Sequence, residues 1–240
     1  MEKKDINVLE QMQNMTVDLN SKVLIEKAEK DGVETMYKRK LGYKVQCGFG
    51  LQGVCCRNCG MGPCRISAKT PRGLCGADEH TIVGRNFARM VAGGTAAHSD
   101  HARDITHTLA LTKPGGDYQV KEPQKLVEFA KFMDVDPEGK DVYELAHEVA
   151  EVCLMEFGKP FGVSKLLKRA PKVRQEIWHN LGIEPRAIDR EIATVMHSTH
   201  IGCCADLEAI IAMSMRCSMA DGWAGSMIGT MLSDILFGTP

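Results

Sequence analysis

The chain has 240 residues, enough for one large domain or two small ones, with an ordinary apolar fraction of 44%, few aromatics and a formal net charge of −1. Acids and bases are interspersed, which leaves no basic footprint for nucleic acid and no polybasic patch for a membrane surface. The opening stretch MEKKDINVLEQMQN has charges with no apolar core after them, so no signal peptide is expected, and no apolar run nears the ~20 residues that span a bilayer. The expected location is the cytoplasm, where clustered thiols stay reduced and serve metals or catalysis rather than disulfides.

Helical patterns cover nearly all the chain outside residues 47–78. From Asn20 to about Arg39 a polar start and apolar residues at helical spacing predict a helix with a weak point at Gly32. Asp78 is placed to cap a long helix through the alanine- and threonine-rich stretch beyond it, with a kink expected near Gly93 and Gly94. EPQKLVEFAKFM follows, DPEG makes a turn, and Asp141 with Glu144 forms a capping box ahead of VYELAHEVAEVCLMEF. SKLLKRA, KVRQEIWHNLG and PRAIDREIATVMHSTH continue the pattern, and two last helices are predicted over 204–219 and 222–237. Strand-like alternation and internal repeats are absent, so the expected fold is mainly α, a helical bundle carrying a cysteine-rich loop segment. The expected division is an N-terminal helical segment over 1–46, a cluster-binding segment over 47–78 and the bundle over 79–240.

Six of the ten cysteines fall between residues 47 and 78. Cys56, Cys59, Cys64 and Cys75 form C-x2-C-x4-C-x10-C, a complement of four thiolates. A structural zinc usually takes two C-x2-C knuckles, and only one is present. A 4Fe-4S cube offers four iron corners to a loop that wraps it at uneven intervals, so iron–sulfur fits this spacing best, with zinc and a redox-active disulfide as the alternatives. Gly60, Gly62, Gly73 and Gly76 would let backbone amides approach the sulfurs. Cys55 and Cys56 are adjacent, and neighbouring side chains cannot easily serve one cube, so Cys55 should point elsewhere. With Cys47 it makes either half of a second ligand set, completed across a two-fold axis by a second copy, or a pair of buried structural thiols.

Farther along, HSDHARDITH places His98, His101, Asp104 and His107 at steps of three. On a helix each neighbouring pair shares a face, but the row drifts ~60° per step, so one metal could not bind all four while a proton relay over ~13 Å could use them. A solvated polar face is the simpler alternative. HSTHIGCC, with His197, His200, Cys203 and Cys204 and with Cys217 not far away, reads superficially like a metal site, but a connection between helices with buried free thiols explains it better; Cys153 reads as core and the many methionines as helix packing.

GFGLQGVCCRNCGMGPCRI, RGLCGAD and TIVGRNFARMVAGGTAAHSDHARDITHTL resemble the N-terminal part of the catalytic subunit of anaerobic nickel–iron carbon monoxide dehydrogenase, and the likeness extends to ADGWAGSMIGTMLSDILFGTP. That resemblance implies oxidation of CO with water to CO2, two protons and two electrons. It assigns a 4Fe-4S cluster to Cys56, Cys59, Cys64 and Cys75, and an iron–sulfur cluster bridging a homodimer to Cys47 and Cys55. It also makes His98 a proton acceptor near the nickel site, with His101 and His107 continuing the relay, and a ferredoxin-type protein the electron acceptor. The gap from Cys64 to Cys75 is short against the family pattern, and Asp104 stands where histidine is common.

The resembled subunit is more than twice as long, and its nickel–iron–sulfur cluster is held by residues beyond this stretch. The expectation is therefore an electron- and proton-handling domain, inactive alone, whose nickel-site domains would lie in a longer frame or on a separate chain. The competing expectation is a non-catalytic iron–sulfur electron carrier or redox sensor, or a protein of the hybrid-cluster, hydroxylamine-reductase type. The cysteine doublet and the histidine row speak against the last.

Overall fold

The computed structural model describes residues 7–43 and 45–239. Residues 1–6, which begin the stretch read as lacking a signal peptide, lie outside the described residues. The mainly α fold predicted from the sequence is borne out, and the described chain divides into two compact units at Gln52 and Gly53.

The first unit carries α1 (Val8–Gln13), α2 (Leu19–Lys30), α3 (Met36–Leu41) and the single turn α4 (Gly48–Leu51). The helix predicted from Asn20 to Arg39 is thus two helices, and Gly32 is the reason. It takes φ of +69°, and the amides of Gly32 and Val33 return to the carbonyls of Glu29 (3.2 Å) and Ala28 (2.8 Å). This is a Schellman stop, which needs a residue tolerant of the left-handed region. Thr35 then starts α3 by accepting from the Lys38 amide.

The second unit begins with a short antiparallel pair, β1 (Cys55–Cys56) and β2 (Cys64–Arg65), where the sequence reading expected no strand. Two residues per strand are too few to show an alternating pattern in sequence. There follow α5 (Glu79–Ala110), α6 (Pro123–Phe132), α7 (Val142–Gly158), a 3-10 turn over Lys165–Arg169, α8 (Lys172–Asn180), α9 (Ile188–Ser198), α10 (Leu207–Ala220) and α11 (Ser226–Phe237). A π-helical turn, Asp221–Gly225, joins α10 directly to α11, so the two last helices form one unbroken run.

α5 is the central strut, packed by α7, α9, α10 and α11. Its Asp78 cap accepts from the Thr81 amide at 2.9 Å, and the helix runs without interruption through Gly93 and Gly94. Residues 81, 85, 88, 92, 95, 99, 102, 106 and 109 are all buried along it. That alternation of fours and threes follows one stripe of a helix, and the small Ala, Ser and Thr side chains in it let neighbouring helices come close. A Cβ on Gly84 would lie 2.5 Å from Leu207 Cδ1, and one on Gly229 would lie 3.5 Å from Ala102 Cβ.

The main core joins Ala102 and Leu109 of α5 to Leu126 and Phe129 of α6, Val149, Cys153 and Phe157 of α7, and Ile228, Leu232 and Ile235 of α11. Each large side chain withdrawn from water there contributes about 1.5–3 kcal/mol. The predicted capping box on α7 is present, with Asp141 accepting from the Glu144 amide at 3.0 Å and Glu144 accepting from the Asp141 amide at 3.1 Å. Among the described residues no helix is long and apolar enough to cross a membrane.

Candidate metal centre

The β1–β2 pair explains how adjacent cysteines part company. Successive residues of a strand point to opposite faces. Cys56 pairs with Cys64 and is buried, whereas Cys55 pairs with Arg65 and is half-buried. Asn86 of α5 holds the strand in place, donating to the carbonyls of Gly53 (2.9 Å) and Cys55 (3.1 Å). Between the strands the chain turns so tightly that a Cβ on Gly62 would lie 3.0 Å from the Cys56 carbonyl oxygen and 3.1 Å from the Cys64 nitrogen, so a larger residue would push the backbone apart by a few tenths of an ångström. A second turn, with Gly76 at φ of +88°, brings Cys75 back beside them.

As a result Cys56, Cys59, Cys64 and Cys75 line one pocket, together with Asn58, Arg85, Thr199 and Ile201. Cys55 is not among its lining residues, and Cys47 belongs to the first unit, where it is exposed at the start of α4.

Hydrogen-bond donors converge on the sulfurs of this pocket. The Leu74 amide donates to Cys64 Sγ at 3.5 Å, and Arg85 Nη1 donates to Cys75 Sγ at 3.5 Å. Burial alone would push the Cys75 thiol up. Donation from the backbone amides of Ala77 and Gly202 and from the Arg85 guanidinium outweighs burial and holds the thiol below its ordinary value. Thiolate is the ligand form of cysteine, so these donors favour metal binding.

One further atom bears on what the pocket fits. Asn58 Nδ2 is buried with no hydrogen-bond partner, and Asn58 lines the pocket. An orphaned buried donor costs roughly 1–3 kcal/mol. A sulfide or thiolate acceptor in the pocket would relieve it. Among the described residues no three His, Cys, Asp or Glu side chains gather closely enough to hold a single metal ion. Four thiols lining one pocket match in number the four iron corners of a 4Fe-4S core.

The histidine row lies on α5 as its spacing requires. His98, His101, Asp104 and His107 are all exposed. His98 and His101 line a second pocket with Gly225, Ser226 and Gly229, whereas His107 and Asp104 are not part of it. His98 Nδ1 meets Asp221 Oδ1 at 2.9 Å and Oδ2 at 3.0 Å, and Ser226 Oγ donates to Asp221 Oδ1 at 2.7 Å. Asp221 opens the π turn, a local widening of the helix that often marks a functional position. A carboxylate at Nδ1 keeps the proton there and leaves Nε2 as the basic nitrogen.

Asp221, Arg85 and Asn58 were not found from the sequence. For Arg85 the signal was present: it is the one charged residue in an otherwise small and apolar stripe of α5. Of the remaining cysteines, Cys153 and Cys217 are in the core as expected, whereas Cys203 is exposed and Cys204 half-buried, because the connection that carries them runs over the surface rather than into the core. Cys153 and Cys217 are buried in separate apolar clusters, burial pushing both thiols up, and Cys203 and Cys204 sit in the connection between α9 and α10. The two tryptophans, Trp178 and Trp223, pack on each other with centroids 5.5 Å apart.

Comparison with known proteins agrees along nearly the whole chain. Over 230 residues it is 47% identical to carbon monoxide dehydrogenase 1 of Methanosarcina acetivorans, an alignment covering 94% of this chain and 37% of that protein. Carbon monoxide dehydrogenase 1 of Carboxydothermus hydrogenoformans is 40% identical over 235 residues, 94% of this chain and 36% of its own length. The crystal structure of the nickel-free carbon monoxide dehydrogenase from Thermococcus sp. AM4 superposes with a TM-score of 0.85 at 45% identity, covering 99% of this chain and 38% of that one. An acetyl-CoA synthase/carbon monoxide dehydrogenase structure, described as holding NiZn[Fe4S4] and NiNi[Fe4S4] clusters in its alpha subunits, superposes with a TM-score of 0.84 at 34% identity, over 37% of its chain. This chain therefore spans little more than a third of the length of these relatives. Residues 54–240 match the Prismane/CO dehydrogenase family, and the chain belongs to that family.

Proposed function

We propose that these 240 residues form the electron- and proton-handling part of an anaerobic carbon monoxide dehydrogenase, an oxidoreductase that converts CO and water to CO2, two protons and two electrons. The observation that carries this reading is the single pocket shared by Cys56, Cys59, Cys64 and Cys75, lined also by Asn58, with Arg85 and the Leu74 amide donating to its sulfurs. Those four thiolates would hold a 4Fe-4S cluster, which supplies one-electron storage close to the protein surface. Cys55, turned away from that pocket, would join Cys47 and the same two residues of a second copy around a bridging iron–sulfur cluster, making a homodimer. Electrons would leave to a ferredoxin-type acceptor in the cytoplasm.

His98 would accept a proton at Nε2 while Asp221, against Nδ1, holds the ring in place. His101 shares the His98 pocket and would take the proton next, with His107 two steps farther along α5 and about half a turn round the helix from His98. The nickel–iron–sulfur site itself would need ligands outside these residues. After six cysteines are assigned to two clusters, Cys153 and Cys217 are buried in apolar surroundings and Cys203 and Cys204 sit in a turn.

The test is anaerobic purification followed by spectroscopy and turnover. The chain should be brown, with broad absorption that bleaches on adding dithionite. It should reduce a viologen dye with CO only when the nickel-bearing remainder is supplied. A colourless chain carrying stoichiometric zinc would overturn the cluster assignment, and turnover by the chain alone would overturn the assignment of the nickel site.

A further inference from the structure

Three residues on one face of α5, at steps of four, reach across to the connection between α9 and α10. Thr81 Oγ1 donates to the Ala205 carbonyl at 3.1 Å. Arg85 grips the Cys204 carbonyl with both Nε (3.0 Å) and Nη2. Arg89 Nε donates to Thr199 Oγ1 at 2.9 Å, and its Nη2 to the Met196 carbonyl at 3.3 Å. The connection so fixed supplies Thr199 and Ile201 to the wall of the four-cysteine pocket and the Gly202 amide to Cys75.

The middle residue is the unusual one. Arg85 is 2% exposed, the largest of the fully buried side chains, and no carboxylate is among its hydrogen-bond partners. Its partners are one carbonyl oxygen and the sulfur of Cys75. A guanidinium withdrawn from water without a carboxylate is costly unless an anion lies close by. A cluster held by the cysteines that line the same pocket would supply that anion, and it would become more negative by one charge each time it takes up an electron. A fixed positive charge 3.5 Å from a ligating sulfur favours the reduced state.

On the reading that these thiols hold a cluster, we infer that Arg85 is a positioning residue that sets the reduction potential of the site on Cys56, Cys59, Cys64 and Cys75, its guanidinium being locked against Cys75 by the Cys204 carbonyl. The step it controls is uptake of one electron by the cluster from a low-potential reductant such as dithionite, which is oxidised in turn, with no bond made or broken in the protein.

The experiment is a redox titration of the iron-loaded chain, followed by the electron paramagnetic resonance of the reduced cluster, in a background of Cys47→Ser and Cys55→Ser so that one cluster is read. At a fixed potential, Arg85→Gln should lower the ratio of reduced to oxidised cluster at least about tenfold, which is ~59 mV for a one-electron couple. Arg85→Lys, which keeps the charge, should restore most of it. Arg89→Gln weakens the hold on Thr199 and Met196 and should leave the ratio within about twofold. If Arg85→Gln does not shift the ratio, or if Arg89→Gln shifts it as far, the inference is overturned.

Should Arg85→Gln fail to fold, pulsed resonance of the unsubstituted chain grown with nitrogen-15 arginine decides. A guanidinium nitrogen coupling to the reduced cluster that Arg85→Lys removes supports the inference, and its absence overturns it. A chain that takes up no iron overturns the cluster assignment and this inference together, whereas an iron-loaded chain with an unmoved potential overturns the inference alone.

Discussion

His98 and Asp221 stand 123 residues apart in the chain and 2.9 Å apart in space, imidazole Nδ1 against carboxylate Oδ1. The contact depends on the π turn that begins at Asp221 and on the close packing of α5 against the α10–α11 run. Asp221→Asn keeps the shape and removes the anionic acceptor. With the nickel-bearing remainder supplied, CO-dependent dye reduction should fall on the order of 10–100-fold, the usual cost of losing a partner that orients a histidine. Nitrogen-15 spectra of the ring should change from one protonated nitrogen, Nδ1, to a mixture of tautomers. Unchanged spectra would mean that Asp221 does not orient His98.

The cysteine doublet gives a separate prediction, because β1 turns Cys56 inward to Cys64 and leaves Cys55 on the other face. Cys56→Ser should abolish the cluster of the four-cysteine pocket. Cys47→Ser with Cys55→Ser should remove the bridging cluster and weaken dimerisation while leaving the first cluster's spectrum intact. Iron analysis and analytical ultracentrifugation would report both, and equal iron content in all variants would contradict the division.

Much of this site could be read from the chain alone, and the parts that could not share a cause. Spacing and glycine content grouped Cys56, Cys59, Cys64 and Cys75, which line one pocket, because those cysteines are local in sequence. Asp78 and the Asp141–Glu144 box marked their helix starts because capping is a contact over three residues. Asp221 and the grip of Arg85 on Cys204 are contacts over more than a hundred residues and leave no local pattern. Gly32 was recognised as a weak point, but a helix that slows and one that stops differ only in whether the glycine takes a positive φ, as it does here. The β1–β2 pair was invisible for its brevity.

Acid should expose a different part of the fold. Glu191 is 1% exposed on α9, bonded by Arg186 (Nε to Oε1, 2.7 Å) and by Arg216 (Nε to Oε2, 2.7 Å). Burial alone would raise its carboxyl, but the two arginines outweigh burial and hold it below the ordinary value of 4.5. A carboxyl lowered by folding contributes stability that is fully present above that ordinary value and is lost as pH falls through the lowered folded value. Glu191→Gln should cost about 3 kcal/mol at neutral pH by leaving two guanidinium groups unpaired. It should also flatten the acid limb of a plot of stability against pH. Urea melts between neutral pH and pH 3 would check both, and an acid limb of unchanged slope would contradict the assignment.

Gly84 of α5 lies close against Leu207 of α10. A methyl there would press on the tip of Leu207, a partly exposed side chain that can rotate away. Gly84→Ala should therefore cost only about 1 kcal/mol, lowering Tm by roughly 2–4 °C, while Gly84→Val should cost about 1–3 kcal/mol. Calorimetry of the two variants would separate close packing from mere tolerance of small residues. Equal Tm values would contradict it.

Mössbauer spectroscopy tests most directly whether the four cysteines of one pocket hold an iron–sulfur cube. The chain with Cys47→Ser and Cys55→Ser would be reconstituted anaerobically with iron-57 and sulfide. The expected result is about four irons per chain in paired, valence-delocalised sites, and loss of that spectrum on further substitution Cys59→Ser. An iron-free chain with one tightly held zinc, or an iron signal that survives Cys59→Ser, would contradict the account.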